Sequence, residues 1–247
     1  MDLKLGDKVA LITGTGSQIG YGKGIALTLA KEGCHIVGAD IDFEGAKKTA
    51  DEVKALGRKA IALKVDMTNG KEINEMVKAA IAGIGKIDIL VNTAGGTASA
   101  GPLVQAQEEK WQRDIALNFL GPMYCAKAVL PGMIERKFGK IVNFSSAVAT
   151  NGMPGSSSYA GSKAAVTTFT KCLALEAGPS GINVNCLAPT MVMTNFGTHA
   201  TMDPKMVEQM ASRLTLRRHT STQDIANIVL FLVSNLSSSI TGQCVTI

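Results

Sequence analysis

Short apolar runs rich in β-branched residues alternate with helical stretches along the whole 247-residue chain. Several of these runs contain almost no polar residue, as strands buried on both faces do. Strands that alternate with helices of this length predict right-handed βαβ crossovers and a parallel sheet. The expected architecture is therefore α/β: a single-domain Rossmann fold, in which a doubly wound, parallel, seven-stranded sheet carries helices on both faces. The predicted strands are 9–13, 35–39, 60–65, 87–92, 140–145, 182–187 and 244–246, and the predicted helices are 23–32, 43–56, 70–84, 105–133, 158–177 and 221–235.

The composition excludes several classes of protein. Hydrophobic residues make up 46% of the chain and charged residues 18%, which is typical of a globular protein. No low-complexity linker divides the sequence, so we expect one domain over residues 1–247. The net charge is +5, but Lys and Arg are scattered rather than clustered on one predicted face. We therefore expect no nucleic-acid partner.

The cysteines and histidines give no sign of a metal site. The five cysteines and three histidines are widely spaced and show no metal-ligand pattern. Such cysteines favour free thiols in a reducing compartment. The N-terminal residues lack the pattern of a secretory signal, and no run approaches the roughly 18 apolar residues of a membrane span. We expect a cytoplasmic protein without a membrane partner.

A glycine-rich stretch, TGTGSQIGYGKG at residues 13–24, follows the first predicted strand. Dinucleotide pyrophosphate needs a tight turn, close backbone approach and a helix N-terminus, and glycines supply the first two. Two alternative sets of glycines in this stretch fit such a turn, and the two registers differ by two residues. Asp40 favours a dinucleotide over a plain turn, because it directly follows the second predicted strand and lies 18 residues beyond Gly22. An acid there hydrogen-bonds the adenosine ribose 2′-OH and repels a 2′-phosphate, so NAD is favoured over NADP; the alternative for Asp40 is a strand-end cap.

The glycine-rich stretch, Asp40 and several other short motifs occur in the order seen in a known family. NTAG (92–95), VNFSS (142–146), YAGSK (159–163) and ITGQ (240–243) each follow or lie near an expected strand. From Lys8 to Gln243 the chain resembles the short-chain dehydrogenases/reductases. The resemblance implies a nicotinamide-dependent oxidoreductase.

The resemblance also separates the two glycine spacings. The family pattern without an insertion puts Gln18 where the middle glycine belongs and ends at Gly20. With two extra residues, Gly14 opens the turn, Gly20, Tyr21 and Gly22 close it, and the following helix comes directly after the last glycine. We adopt this second register. It leaves residues 16–19 in an enlarged loop, where the Ser17 hydroxyl offers another donor to the cofactor.

Further cofactor contacts are implied by the resemblance alone. Asp66 would meet the adenine ring, and Val192 would offer backbone groups to the nicotinamide carboxamide. Thr93 replaces a usual Asn. Thr190 replaces a usual Gly, and because threonine tolerates positive φ poorly, we expect the turn there, or its contact with the cofactor, to differ from the family's. The other expected cofactor-binding residues are Met67, Asn92, Ala94, Gly95, Pro189 and Thr194.

The catalytic residues are also matched to the family pattern. Tyr159 and Lys163 are four residues apart and share one face if the segment is helical. A nearby ammonium favours the phenolate and would lower the pKa of Tyr159, with the nicotinamide cation adding to this effect. Ser146 lies 13 residues before Tyr159, which is the family spacing, and Ser145 is its rival. Asn118 would hold a water in a proton relay, or would be an ordinary satisfied helical asparagine.

The substrate is poorly defined by the sequence. Residues 191–220 are predicted to form a lid, and Met153, Phe196 and the lid methionines suggest an apolar substrate. The expected reaction interconverts a small-molecule secondary alcohol and a ketone. The alternatives are a 3-oxoacyl-thioester reductase, for which Lys137 fits a docking position but Ser180 does not, and a non-catalytic NAD-binding subunit.

Two predicted helices indicate an assembly. The helices at 105–133 and 158–177 carry apolar residues on more than one face, among them Leu130 and Phe169. In family members the corresponding helices pair across a two-fold axis. We therefore expect a homotetramer, with a dimer as the alternative.

Overall fold

Seven parallel strands form one sheet in the structure, a computed structural model that describes residues 2–190, 192, 194 and 203–247. The strand order is β3-β2-β1-β4-β5-β6-β7. The predicted α/β fold class is therefore confirmed. The strands are β1 (Val9–Thr13), β2 (His35–Asp40), β3 (Ala60–Lys64), β4 (Ile89–Asn92), β5 (Gly139–Phe144), β6 (Ile182–Ala188) and β7 (Cys244–Thr246).

Helices cover both faces of this sheet. They are α1 (Tyr21–Lys31), α2 (Phe43–Ala55), α3 (Gly70–Ile84), α4 (Glu108–Ile115), α5 (Gly121–Glu135), α6 (Val148–Asn151), α7 (Ser157–Ala177), α8 (Pro204–Ser212) and α9 (Thr222–Val233). Alternate residues of β1 serve two cores: Ala10 and Ile12 pack with α1, α2 and α9, whereas Val9 and Leu11 pack with α3, α5 and α7. Within the described residues, no helix is both long enough and apolar enough to cross a membrane.

Short polar residues directly before the first turn start several helices. Asn69 accepts hydrogen bonds from the backbone N–H groups of Lys71 and Glu72 at the start of α3. Ser221 and Asp224 form a capping box at the start of α9. These side chains satisfy N–H groups that have no partner within the helix, so the local sequence sets where each helix begins.

The structure divides the long helix predicted at 105–133. A 3₁₀ turn spans Leu103–Gln105, α4 follows, and a π-helical turn at Ala116–Leu120 joins α4 to α5. The apolar pattern does not reveal this division because all of these turns are helical. Two helices, α6 and α8, were not predicted. The start of α8 does carry a recognisable signal, since Asp203 caps it and Pro204 follows.

The strand order reverses direction at β1, from which the chain builds outwards to β3 on one side and to β7 on the other. At such a switch point, the connections that leave β1 and β4 run to opposite faces and leave a crevice at the carboxyl ends of the strands. Asp40, Asn92 and Phe144 are the last residues of β2, β4 and β5. The fold therefore brings the segments after these strands to one edge.

Removing a side chain from the centre of the sheet should destabilise the fold strongly. Leu11 is fully buried in the core that faces α3, α5 and α7. We expect Leu11→Ala to lower the free energy of unfolding by about 2–5 kcal/mol, because the cavity cannot collapse completely. Urea denaturation measures this change. Leu216→Ala is the control, since Leu216 is 75% exposed; equal losses in the two variants would contradict the prediction.

Candidate active site

A cavity of about 730 Å³ opens at the carboxyl edge of the sheet. It is lined by the segments that follow β1 to β6, as the strand order requires. Most of the predicted site residues line it, and two do not: Asn92 and Asn118. The predicted residues in the lining are Gly14, Ser17, Gly20, Tyr21, Gly22, Asp40, Asp66, Met67, Ala94, Gly95, Ser146, Tyr159, Lys163, Pro189, Val192 and Thr194.

The glycine-rich turn brings the start of α1 to the cavity. Gly14 has φ +79°, and a Cβ on it would lie 2.9 Å from the Ala94 backbone nitrogen. Gly20 is the residue before α1, and a Cβ on Gly22 would lie 2.1 Å from the Gly14 carbonyl oxygen. Only glycine permits this backbone approach. The helix N-terminus thus faces the cavity, where its N–H groups favour an anion.

The positions of the glycines support the register with the enlarged loop. Helix α1 begins at Tyr21, directly after Gly20. Gln18, which the shorter spacing puts at the middle glycine, donates hydrogen bonds from its amide to the carbonyls of Gly16 (2.8 Å) and Gly45 (3.0 Å). Gln18 therefore packs toward α2 and does not line the cavity.

Two carboxylates line one end of the cavity. Asp40 ends β2 and accepts hydrogen bonds from the backbone N–H groups of Gly16 at 2.7 Å and Asp42 at 2.9 Å. Asp66 follows β3 and accepts from the N–H and hydroxyl of Thr68 at 2.9 and 2.8 Å. Both acids are thus held in fixed orientations at the places where the sequence predicts the adenosine to bind.

The opposite end of the cavity holds the predicted catalytic residues. Helix α7 presents Tyr159 and Lys163 on one face, with the Lys163 Nζ 5.7 Å from the centroid of the Tyr159 ring. The Lys163 ammonium is buried and donates to the Phe144 carbonyl oxygen at 2.8 Å. Ser146 forms a side-chain hydrogen bond with Tyr159. Hydroxyl, phenol and ammonium therefore lie together beyond β5.

The structure distinguishes Ser146 from its neighbour Ser145. The Ser145 hydroxyl is buried and donates to the Lys163 carbonyl oxygen at 2.9 Å, and it also pairs with the Thr167 hydroxyl. These bonds tie the end of β5 to α7. Ser146, one residue further, is the serine that reaches Tyr159.

Burial shifts the pKa values of both catalytic groups. It raises the pKa of Tyr159 to about 12, although the hydrogen bond from Ser146 opposes the rise. It lowers the pKa of Lys163 to about 8. The sequence predicts a lowered tyrosine pKa, and the protein's own groups do not produce it. The physical reason is that desolvation disfavours the phenolate and the ammonium alike.

The two predicted residues that do not line the cavity lie behind it. Asn118, in the π-helical turn, donates to the carbonyls of Asp114 and Gly96 and accepts from the Gly96 N–H. These bonds match those of a satisfied asparagine, and its role in a water relay stays a prediction. Asn92 is buried and donates to the Asn143 side chain at 2.8 Å, so it joins β4 to β5.

Comparisons with known proteins agree with this architecture. A family model described as enoyl-(acyl carrier protein) reductase matches residues 14–247. The 3-oxoacyl-(acyl-carrier-protein) reductase of Staphylococcus epidermidis is 35% identical over 243 residues, which cover 97% of this chain and 96% of that protein. The (2S)-((R)-hydroxy(phenyl)methyl)succinyl-CoA dehydrogenase subunit of Thauera aromatica is 38% identical over 237 residues, covering 96% and 93% of the two chains.

A solved structure is similar over the full length. A 7α-hydroxysteroid dehydrogenase in complex with NADH and 7-oxo glycochenodeoxycholic acid has a TM-score of 0.93 and 34% identity, covering 100% of this chain and 94% of that chain. The chain belongs to the short-chain dehydrogenase/reductase family. It is an oxidoreductase that acts on CH–OH donors, and nicotinamide cofactors serve this family.

Two departures from the usual short-chain dehydrogenase/reductase pattern are accommodated. Thr190 does not adopt positive φ, so a threonine fits there without backbone strain, and its N–H donates to the Ile247 carbonyl oxygen at 2.9 Å. The Thr93 hydroxyl donates to the carbonyl oxygen of Thr13. The Thr93 bond comes from the substituted side chain, whereas the Thr190 bond uses a backbone N–H that a glycine would also have.

Part of the predicted lid lies outside the described residues. This part comprises residues 191, 193 and 195–202, and it includes Phe196. Within the described part, Val192 pairs with Thr220 in an isolated bridge, and Met210 of α8 lines the cavity. Closure of residues 191–220 over the site stays a prediction.

Sequence reasoning missed two residues that shape this short-chain dehydrogenase/reductase site. Phe144 supplies the carbonyl that holds Lys163, and its ring stacks on Tyr21 with centroids 5.5 Å apart. Asp114 is buried and accepts hydrogen bonds from the Ala98 and Ser99 N–H groups and from the Ser158 hydroxyl. Asp114 therefore clamps the segment after β4 to α7. The only sequence signal was its position one turn before Asn118.

Removing this clamp should affect both stability and catalysis. We expect Asp114→Ala to lower the free energy of unfolding by about 1–3 kcal/mol, because buried N–H groups lose their acceptor. It should also lower kcat/KM, because α7 carries Tyr159. Urea denaturation and steady-state kinetics test both effects. The matched control is Glu109→Ala, at an exposed position of the same helix; an equal response in the control would refute the clamp.

Proposed function

We propose that the protein is an NAD-dependent oxidoreductase that interconverts a secondary alcohol and a ketone, with Tyr159 as the general acid and base. The observation that carries this proposal is the grouping of Ser146, Tyr159 and Lys163 in the same cavity as Asp40. A phenol beside a hydroxyl and an ammonium is a device for moving a proton to or from a bound oxygen. Asp40 at the other end of the cavity is suited to bind a ribose. A dinucleotide is long enough to contact both ends.

The residues of the cavity fit such a dinucleotide. Close backbone approach at Gly14 and the N-terminus of α1 would hold the pyrophosphate. A Cβ on Gly95 would lie 3.0 Å from the Asn118 Oδ1 and 3.4 Å from the Lys163 Nζ, so a side chain at this position would crowd both groups. Asp40 would bind the adenosine ribose, and Val192 would bind the carboxamide. When bound, the nicotinamide accepts or donates the hydride.

The protein's side chains would handle the proton and the substrate oxygen. In oxidation, Tyr159 takes the proton of the alcohol, and in reduction it returns a proton to the same oxygen. Ser146 donates a hydrogen bond to that oxygen and orients it. Lys163 lies beside the phenol and binds the nicotinamide ribose. Because burial and the nearby Asp114 charge raise the pKa of Tyr159 within the protein, the positive charge of the bound nicotinamide is needed to favour the phenolate.

The lining near Tyr159 supports a substrate with an apolar carbon frame. Val148, Met153 and Met210 contribute apolar side chains there. Among the described lining residues, the cations are Lys163, assigned to catalysis, and Arg113, whose charge adds to the Thr68 hydrogen bonds that, against the effect of burial, lower the pKa of Asp66. The substrate end therefore offers little that would bind a phosphate or carboxylate.

The second candidate is reduction of a 3-oxoacyl thioester. It is favoured by the name of the Staphylococcus epidermidis relative, and the Thauera aromatica relative acts on a CoA thioester. The two candidate functions can be distinguished with a panel of aliphatic, cyclic, steroidal and hydroxyacyl-CoA alcohols. Oxidation of each alcohol is monitored by the formation of the reduced nicotinamide. A non-catalytic NAD-binding subunit is disfavoured because Asn118, Ser146, Tyr159 and Lys163 are all present.

The role of Tyr159 can be tested on any substrate that this panel identifies. We expect Tyr159→Phe to lower kcat by about 10²–10⁴-fold, because it removes the proton carrier and keeps the ring. Tyr124→Phe is the matched control and should retain the wild-type rate, since Tyr124 is partly exposed on α5, away from the cavity lining. Turnover of Tyr159→Phe at the wild-type rate would refute the mechanism.

The preference for NAD can be tested by binding alone. We expect the wild type to bind NADH more tightly than NADPH, and Asp40→Asn to erode this preference because it removes the charge that repels a 2′-phosphate. Fluorescence titration with each nucleotide measures the two affinities. Asp42→Asn removes the same charge two residues away and keeps the cap of α2, so the preference should persist there. Tighter binding of NADPH by the wild type would contradict the proposal.

We retain the homotetramer and the cytoplasmic location as proposals. On α7, Leu175 is exposed and Phe169 is only partly buried, and Leu130 of α5 is also partly buried. These apolar side chains support pairing of α5 and α7 with a second copy. Light scattering on the purified protein distinguishes a tetramer from a dimer.

A further inference from the structure

The enlarged loop between β1 and α1 is built into the surface formed by β2 and α2. Thr15 is fully buried, and its carbonyl oxygen accepts the Thr49 hydroxyl at 2.8 Å. The Gln18 amide bridges the carbonyls of Gly16 and Gly45. The loop therefore has a defined position against α2.

Two glycines outside the enlarged loop, and one glycine within it, make room for this loop. A Cβ on Gly38 of β2 would lie 2.7 Å from the Thr15 hydroxyl oxygen, and a Cβ on Gly45 of α2 would lie 2.2 Å from the Gly16 carbonyl oxygen. A Cβ on Gly16 itself would lie 2.8 Å from the Asp40 Cγ. Since any side chain at these three positions would collide with its neighbours, the loop can hold its backbone directly against Asp40.

That contact orients the Asp40 carboxylate. One oxygen accepts the Gly16 N–H at 2.7 Å and the other accepts the Asp42 N–H at 2.9 Å. A carboxylate with both oxygens held cannot swing away from an approaching group. It would meet a ribose hydroxyl as a fixed acceptor and a 2′-phosphate as a fixed negative charge.

The same loop also contacts Lys23, the nearest cation on α1. The Lys23 Nζ lies 2.6 Å from the Glu52 Oε1 and 2.9 Å from the Gln18 Oε1. Lys23 follows the last glycine of the turn, and its side chain is largely buried. Its charge is therefore directed to Glu52 and is not offered to a 2′-phosphate.

We propose that Gly16 and Gln18 are positioning residues that make the adenosine end selective for an unphosphorylated ribose. Gly16 aims the Asp40 carboxylate, and Gln18 keeps Lys23 with Glu52 while bracing the Gly16 carbonyl. Selectivity thus depends on the enlarged loop as well as on the acid. This inference rests on the proposed preference for NAD, and it assigns part of that preference to residues that do not carry the discriminating charge.

The test compares NADH and NADPH affinities in the full-length protein by fluorescence titration. We expect Gly16→Ala to lower the ratio of NADH to NADPH affinity about tenfold, because the added Cβ displaces Asp40. Gln18→Ala should shift the ratio in the same direction by a few-fold. Gly24→Ala is the matched control and should leave the ratio unchanged, since its Cβ would meet no atom closer than 3.6 Å. Gln18→Ala adds no atoms, so it carries the test if Gly16→Ala fails to fold.

The outcomes separate this inference from the proposed cofactor. If Asp40→Asn erodes a wild-type preference for NADH while Gly16→Ala and Gln18→Ala keep it, the loop has no part in selectivity. Equal losses of affinity for both nucleotides in the loop variants would likewise overturn the inference, because a purely structural role lowers both. Tighter NADPH binding by the wild type would instead refute the NAD preference itself.

Discussion

The backbone of Gly22 packs against the Gly14 carbonyl so closely that no larger residue fits at position 22. This contact sets the angle at which α1 leaves the sheet, and it occurs where Gly14 also approaches Ala94 after β4. The end of β1, the end of β4 and the start of α1 are therefore joined by backbone contacts. Helix α1 can point its N-terminus into the crevice because these three segments meet without side chains between them.

At the other end of the cavity, the charged side chains are buried and fixed by hydrogen bonds. Lys163 has a buried ammonium that donates to the Phe144 carbonyl, while Asp114 gathers N–H and hydroxyl donors from two segments. Because these groups are already fixed, little reorganisation energy is needed when charge develops on a bound oxygen. The same burial raises the pKa of Tyr159 and lowers that of Lys163. The proton chemistry of the site thus depends on charge that the substrate complex adds.

How much of the site could be predicted depended on the kind of signal. Tyr159 and Lys163 could be predicted because helical spacing puts them on one face. Ser146 could be predicted because its distance from Tyr159 along the sequence matches the family. Asp114 could not be predicted, since its partners are backbone N–H groups and a hydroxyl that lie 15 to 44 residues away in the sequence. The π-helical turn at Ala116–Leu120 was missed for a related reason: its apolar pattern is that of an ordinary helix.

By itself the sequence determined the parallel sheet, the order of its elements and the edge at which polar residues collect, because apolar periodicity and glycine placement are local properties. Only the tertiary structure decided which side chains finish as partners. It bonded Ser145 to α7, and it turned Gln18 toward α2. These outcomes depend on distances between segments remote in sequence, and such distances exist only once the sheet and its helices have packed.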